Sequence, residues 1–273
     1  MTAAILSAGY TAETKRQPPR ASSRVIISCK MHAARRRDSV SDFLDSMPWR
    51  YREVFDGPAA REHAAIVARR AGAPAHIELW RRLPRGGAVV CVAADDRPGL
   101  LSFISAALVV HHVDVEAAQA YTRIETREAV DFFWLRREGD VTTPILEADV
   151  APIADVLRGL VTGALTIDGV AAAARADRVR PTGATTRACF DEKTDSGLAV
   201  LTVETSDRPG LLLAITRALH RARVQILGSE ATTKDGRVVD RFTLVELDGA
   251  PLRSSRRGVL QVEVLAAIDS LGR

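Results

Sequence analysis

The sequence predicts an α+β protein, made of two copies of one strand-and-helix unit behind a short helical segment and a basic tail. Three observations carry that prediction. The string Asp-Arg-Pro-Gly-Leu-Leu occurs twice, at 96–101 and 207–212, an offset of 111 residues. Each copy follows an apolar, β-prone run and opens an amphipathic helical pattern. A second string, Val130-Asp131-x-Phe133, returns in the same order as Val239-Asp240-x-Phe242 at an offset of 109. A repeat at nearly fixed offset outranks local propensity in deciding architecture.

Composition narrows the classes. With 273 residues and 47% hydrophobic content, the chain can bury a core and hold one to three domains. The formal charge of +4 is unevenly placed. Residues 1–37 hold eight Lys/Arg and one acid, a net of +7, which leaves −3 for the rest. A nucleic-acid-binding domain carries its positive charge on the folded part, so no nucleic-acid partner is expected. The Arg-rich, acid-poor tail reads as solvated and also fits a transit peptide or an over-extended start. Cys29, Cys91 and Cys189 show no metal-type spacing, and Cys91 and Cys189 sit in apolar runs as buried thiols. No run reaches the length of a membrane span, so no membrane partner and a cytoplasmic location are expected.

Taken in order, residues 1–37 lack periodicity, contain Gln17-Pro18-Pro19-Arg20 and are expected to be disordered. Residues 38–74 read as a helical flap. Phe43, Leu44, Met47, Trp49, Tyr51 and Phe55 make an aromatic-rich stretch, and Pro58 then opens a helix. Its apolar residues Ala59, Ala64, Ile66, Val67 and Ala71 share one face, before Gly72 and Pro74 stop it. Such a segment is too short for its own core and must pack on something else.

The first unit spans 75–165. Residues 76–80 alternate, Pro84-Arg85-Gly86-Gly87 turns, and 88–94 is apolar and β-prone, which together predict a hairpin. A helix is expected from Pro98 to about His112, then strands at 113–124 and 129–136, then a helix near 147–161. Residues 166–184 read as a linker. The second unit, 185–273, repeats the order, with strands at 186–192 and 198–205 and a helix at 209–223. Strands at 224–234 and 237–247 follow, joined by the hairpin signal Asp235-Gly236, and a helix at 254–271 ends the unit. This last hairpin is two residues shorter than its counterpart in the first unit. Each unit thus has a ferredoxin-like βαββαβ layout in permuted form, its edge strand drawn from upstream of the first long strand. Two helices cover one face of each four-stranded sheet, so the sheets are expected to join edge to edge or face to face.

The turn between strand and helix has its own chemistry. Pro98 and Pro209 lie near the first helical position, where a missing N–H is harmless. Gly99 and Gly210 remove a Cβ and allow close approach. First-turn amides carry the positive end of the helix dipole and seat a carboxylate. Asp96 and Asp207 can cap the helix or accept hydrogen bonds from a ligand amine. A well-capped turn explains one such loop; two identical copies argue for more.

On these residues, the β-run, the Asp-Arg-Pro-Gly-Leu-Leu entry and the apolar start of the next strand, both units resemble ACT domains, the small-molecule-sensing modules of amino-acid metabolism. The tandem order is similar to the C-terminal ACT pair of bifunctional uridylyltransferase/uridylyl-removing enzymes, which act on the PII nitrogen-signalling protein. The upstream Phe43-Leu44-Asp45-Ser46-Met47-Pro48-Trp49-Arg50-Tyr51 and the helix bearing His63 resemble the segment before that pair. The resemblance covers residues 39–273. It implies an amino-acid ligand, glutamine in that family, bound between the loop and the start of the next strand. On this chain that gives Asp96, Arg97, Pro98, Gly99 and Leu100 with Asp114, and Asp207, Arg208, Pro209, Gly210 and Leu211 with Gln225. Asp114 and Gln225 stand where the family has Asn. With the uncharged Gln225 beside it, the second loop is expected to be the better binder. The implied partners are PII or a regulated enzyme, and a second copy of the chain through the ACT sheets.

The family's catalytic parts are not legible here. Gly86-Gly87 with Asp95-Asp96 only superficially fits a nucleotidyltransferase, because adjacent strand-end residues point to opposite sides. His111-His112 and Asp114 lie at a helix–strand junction, and no metalloprotease, P-loop or nucleophile-elbow motif occurs. No cofactor and no catalysis are therefore expected. The β-strand aromatics Phe132 and Trp134 could stack RNA bases, but copy two has Arg241 and Thr243 there, so a buried contact between the units explains them better. Val109 and Val110 add an apolar helix face that the flap is expected to cover. The alternative to sensing is a structural module, or a remnant of a longer enzyme, whose loops bind nothing.

Overall fold

The computed structural model describes residues 40–140, 142–175, 185–191 and 198–272. The predicted disordered tail, the end of the predicted linker and the turn at 193–197 lie outside them. In the first repeat, β1 (Ala75–Arg82) and β2 (Ala88–Asp95) form the expected hairpin, followed by α4 (Leu100–Val109), β3 (Val113–Thr122), β4 (Glu128–Arg137) and α5 (Glu147–Thr162). The second repeat supplies β5 (Arg187–Phe190), β6 (Ala199–Ser206), α7 (Leu211–Arg221), β7 (Val224–Lys234), β8 (Arg237–Glu246) and α8 (Ser254–Asp269). Between them lies α6 (Ile167–Arg175), and ahead of both lie α1 (Val40–Ser46), α2 (Trp49–Val54) and α3 (Gly57–Arg69).

All eight strands belong to one antiparallel sheet, ordered β1-β2-β4-β3-β7-β8-β6-β5. The sheets of the repeats meet edge to edge through four described residue pairs, from Ala117↔Thr232 to Ala120↔Ser229, and α4 packs on α7 across the same junction. Each upstream strand does take the outer edge, β1 beside β2 and β5 beside β6. Helices α4, α5, α7 and α8 bury Ile104, Leu108, Leu157, Ile215, Leu219 and Val264 against one face.

The opposite face is treated differently in the two halves. Over the first, α1–α3 seat Phe43, Met47, Tyr51, Phe55 and Ile66 on Val89, Cys91, Val130 and Phe132. This explains why β2 is apolar throughout: it is covered on both faces, and only Asp95 at its end is exposed. In β6, Val200 and Glu204 are only half-buried between buried neighbours, an alternation suited to one covered face. The Tyr51 hydroxyl lies 2.6 Å from His63 Nδ1 inside the flap cluster. A charge network, buried except at Asp95, closes its rim: Arg70 Nη1 lies 2.9 Å from both Asp95 and Glu128, and Arg123 lies 3.1 Å from Glu128.

Four expectations are corrected. The predicted linker contains α6, because Val170, Ala171 and Ala174 supply a helical stripe that packs on α4. That helix, with Leu213 of α7, covers Val109 and Val110; the flap lies on the other side of the sheet. Phe132 and Trp134 are accordingly covered by the flap rather than by the second unit. Cys91 is fully buried, its thiol pushed up by desolvation, but Cys189 is only half-buried.

Candidate ligand clefts between the two repeats

Both Asp-Arg-Pro-Gly loops end in a left-handed glycine, φ +84° at Gly99 and +77° at Gly210, directly before α4 and α7. The helices therefore begin at Leu100 and Leu211, two residues later than the prolines suggest. The glycines serve this conformation first, since an L-residue with a Cβ is strained there. Neither aspartate caps its helix. Asp96 instead accepts from the Thr122 hydroxyl (3.1 Å), the Gln225 amide (3.1 Å) and Arg127 (3.4 Å). Asp207 accepts from Arg136 at 3.3 Å.

These bonds bring the residues together in a pairing different from the expected one. Gln225 belongs to the second repeat yet holds the first loop, and Asp114 of the first repeat lines the cleft under the second loop. The wiring is crossed because β3 and β7 are neighbours and run antiparallel, so the start of each lies beside the other repeat's helix entry. The helices repeat the pattern. A Cβ on Gly99 would lie 2.5 Å from His220 Nδ1 of α7, whereas one on Gly210 would lie 4.0 Å from Val109 of α4. Val109 and His220 occupy equivalent positions, and each sits over the opposite loop.

Two clefts result, one at each end of the short β3–β7 seam. The first is lined by Asp96, Arg97, Gly99, Leu100 and Asp131, with Ile226 and Leu227 from the second repeat. The second is lined by Asp207, Arg208, Gly210, Leu211 and Asp240, with Asp114 and Val109 from the first. Pro98 and Pro209 line neither and shape the turns. Arg97 reaches the Val161 carbonyl at the end of α5 (2.8 Å), where a cation also complements the helix dipole. Arg208 is instead held by the hydroxyls of Thr205 (2.8 Å) and Thr186 (3.2 Å). Each enclosed space is about 30 Å³, room for a water or two.

The residues that sequence reasoning missed are Asp131 and Asp240, which form the floor of the clefts. Their Val-Asp-x-Phe strings mark the alignment of the repeats, yet a charge recurring in a buried strand is itself a signal. Burial pushes the Asp131 carboxyl up to about 8, and the Tyr121 N–H, 3.2 Å away, opposes this only in part. Burial, and then the charge of Asp207, pushes Asp240 up to about 7. Burial also raises Asp96 against the pull of Thr122, Arg127, Gln225 and the Arg97 N–H. Among the described residues, no group of three or more His, Cys, Asp or Glu is placed to hold a metal ion. No helix among them is long and apolar enough to cross a membrane.

The chain is 30% identical over 213 residues to the bifunctional uridylyltransferase/uridylyl-removing enzyme of Rhodospirillum rubrum. It is 29% identical over 242 residues to that of Gluconobacter oxydans, and 26% over 272 to that of Phenylobacterium zucineum. These matches take in 76%, 85% and 98% of this chain but only 22%, 25% and 28% of the relatives. The chain thus spans about a quarter of the length of the curated relatives it matches. No family model matches it, and no solved structure matches it significantly.

Proposed function

We propose that this chain, homologous to about a quarter of the bifunctional uridylyltransferase/uridylyl-removing enzymes, is a regulatory module of nitrogen signalling: a pair of permuted ferredoxin-like ACT units that responds to an amino acid, glutamine first among the candidates. It carries out no catalysis of its own and acts on a partner, PII or the enzyme it controls. The observation that carries this reading is the crossed construction of the clefts. A ligand under either loop would touch both repeats beside a seam of four residue pairs. It would therefore bind one arrangement of the repeats better than another, which is what a regulatory ligand requires. The carboxylate of an amino acid suits the first-turn amides of α4 or α7, and its ammonium group suits the aspartates below.

The test is a thermal-shift and calorimetric screen of the standard amino acids against the whole chain. A rise in melting temperature with glutamine, growing with concentration, is expected. A melting point unmoved by every amino acid at saturating concentration overturns the sensing reading. One observation favours a second reading, a structural module with closed loops: each cleft as it stands has room only for water. A ligand must open it, and a silent screen would leave the structural reading in possession.

A further inference from the structure

The two clefts have the same framework but not the same filling. In the first, the protein answers its own carboxylates: Gln225, Thr122 and Arg127 bond Asp96, and the Tyr121 N–H bonds Asp131 Oδ1. His220 lies over the loop glycine. In the second, Asp240 accepts from the Thr232 N–H as Asp131 does from the Tyr121 N–H, but it is 2% exposed and its Oδ1 has no hydrogen-bond partner. Arg208, 8% exposed, likewise leaves its Nε without one, as Arg97 does in the first cleft. Both line the same cleft, with the first turn of α7 beside them. A buried polar atom without a partner costs on the order of 1–3 kcal/mol, and two opposite in character on residues that line one cleft suit a ligand that bears both charges.

We propose that the two clefts are functionally unequal, and that Asp240 is the recognition group of the second, binding the ammonium group of a free amino acid and giving up a proton as it does so. This rests on the sensing reading above and extends it. The charged groups that face Asp240 are Asp207 and Arg208 from the loop after β6 and Asp114 from β3; α4, α7 and β7 contribute only uncharged residues to the cleft. Asp207 is itself engaged by Arg136, which Glu116 also binds. An arriving ammonium keeps its three protons. The Asp240 carboxyl becomes a carboxylate, and its proton passes to solvent. The carboxyl's pKa, lifted to about 7 by burial and by Asp207, leaves it protonated on the acid side of neutrality, so a proton is there to be released. The first cleft, whose Asp96 is held by Gln225 of the other repeat, serves to hold the repeats together.

The test is isothermal titration calorimetry of the whole chain with L-glutamine, slightly below neutral pH, in two buffers of different ionisation enthalpy. One site per chain is expected, with net proton release, and no binding of N-acetyl-L-glutamine, which lacks the ammonium. Asp240→Asn is expected to weaken binding about tenfold or more. Two equal sites, heats free of proton release, equal binding of the acetylated probe, or an unaffected Asp240→Asn would each overturn the assignment. The proton count and the acetylated probe need no variant, so they stand if Asp240→Asn fails to fold. Binding that survives these reversals leaves the sensing reading intact. If no amino acid binds the native chain, that reading falls and this one with it.

Discussion

The Gln225 amide donates to Asp96 Oδ1 at 3.1 Å, although the two residues lie in different repeats and 129 positions apart. This bond fastens the first ligand-type loop to the second repeat's β7. Gln225→Ala should cost about 1 kcal/mol of stability, the net worth of one such bond. Its more telling effect is directional. Amides at 96–101 should exchange hydrogen faster, while those at 207–212, in Gln225's own repeat, keep their protection. Mass-spectrometric hydrogen exchange separates the two loops, and faster exchange at 207–212 alone would contradict the crossed wiring.

The glycines of the two loops differ in surroundings more than in conformation. Both have positive φ, so Gly210→Ala should cost about 1–2 kcal/mol from backbone strain. Gly99→Ala adds a collision, since its Cβ would meet the His220 ring at 2.5 Å, and should cost more. Combining it with His220→Ala should recover part of the difference, because the two sites share one contact. Denaturant titrations of the three variants measure this directly. Equal costs for the two single glycine changes would mean that the ring turns aside freely.

Much of the fold was legible because its signals are local. Alternation, turn residues and the doubled loop place every strand within a few residues, and the upstream position of β1 and β5 follows from counting strands in each repeat. The crossed clefts were not legible. Sequence shows that Asp114 follows the first loop in the chain, but which strand edge that loop meets depends on the β3–β7 pairing. The apolar face at Val109 and the aromatics at Phe132 failed for a related reason: an apolar surface announces that it needs cover, not what supplies it. Helix α6 was hidden by its alanines, whose small side chains make a weak stripe. Asp131 and Asp240 were in plain view, and only their burial turns them from alignment marks into chemistry.

Buried Asp131 should tilt stability with pH. Its folded pKa, about 8, lies above the ordinary carboxylate value, so between these limits the folded chain binds the extra proton. Stability from this group is full at acid pH and falls as pH rises through the folded value, by at most about 1.4 kcal/mol per pH unit. Asparagine imitates the neutral carboxyl and cannot ionise. Asp131→Asn should therefore gain on the native chain as pH rises from about 4 to 8, then run parallel to it. Urea unfolding across that range checks the sign, and a stability difference independent of pH would show that Asp131 titrates normally.

Arg69 and Arg70 are neighbours with ion pairs of opposite character. Arg69 grips Glu78 through two bonds of 2.7 Å, but half of its side chain is in solvent. Arg70 is almost wholly buried, between Glu128 and Asp95, and so ties the flap to the strand end that leads into the first loop. Losing the exposed pair through Arg69→Ala should cost no more than about 1 kcal/mol. Arg70→Met removes one of the two guanidiniums that answer buried Glu128 and should cost roughly 3–5 kcal/mol. Because Asp95 is released as well, exchange at 96–101 should rise in Arg70→Met and stay native in Arg69→Ala. Chemical denaturation ranks the two variants, and the exchange data separate a general loss of stability, which would spread over both repeats, from a flap that has let go of one loop.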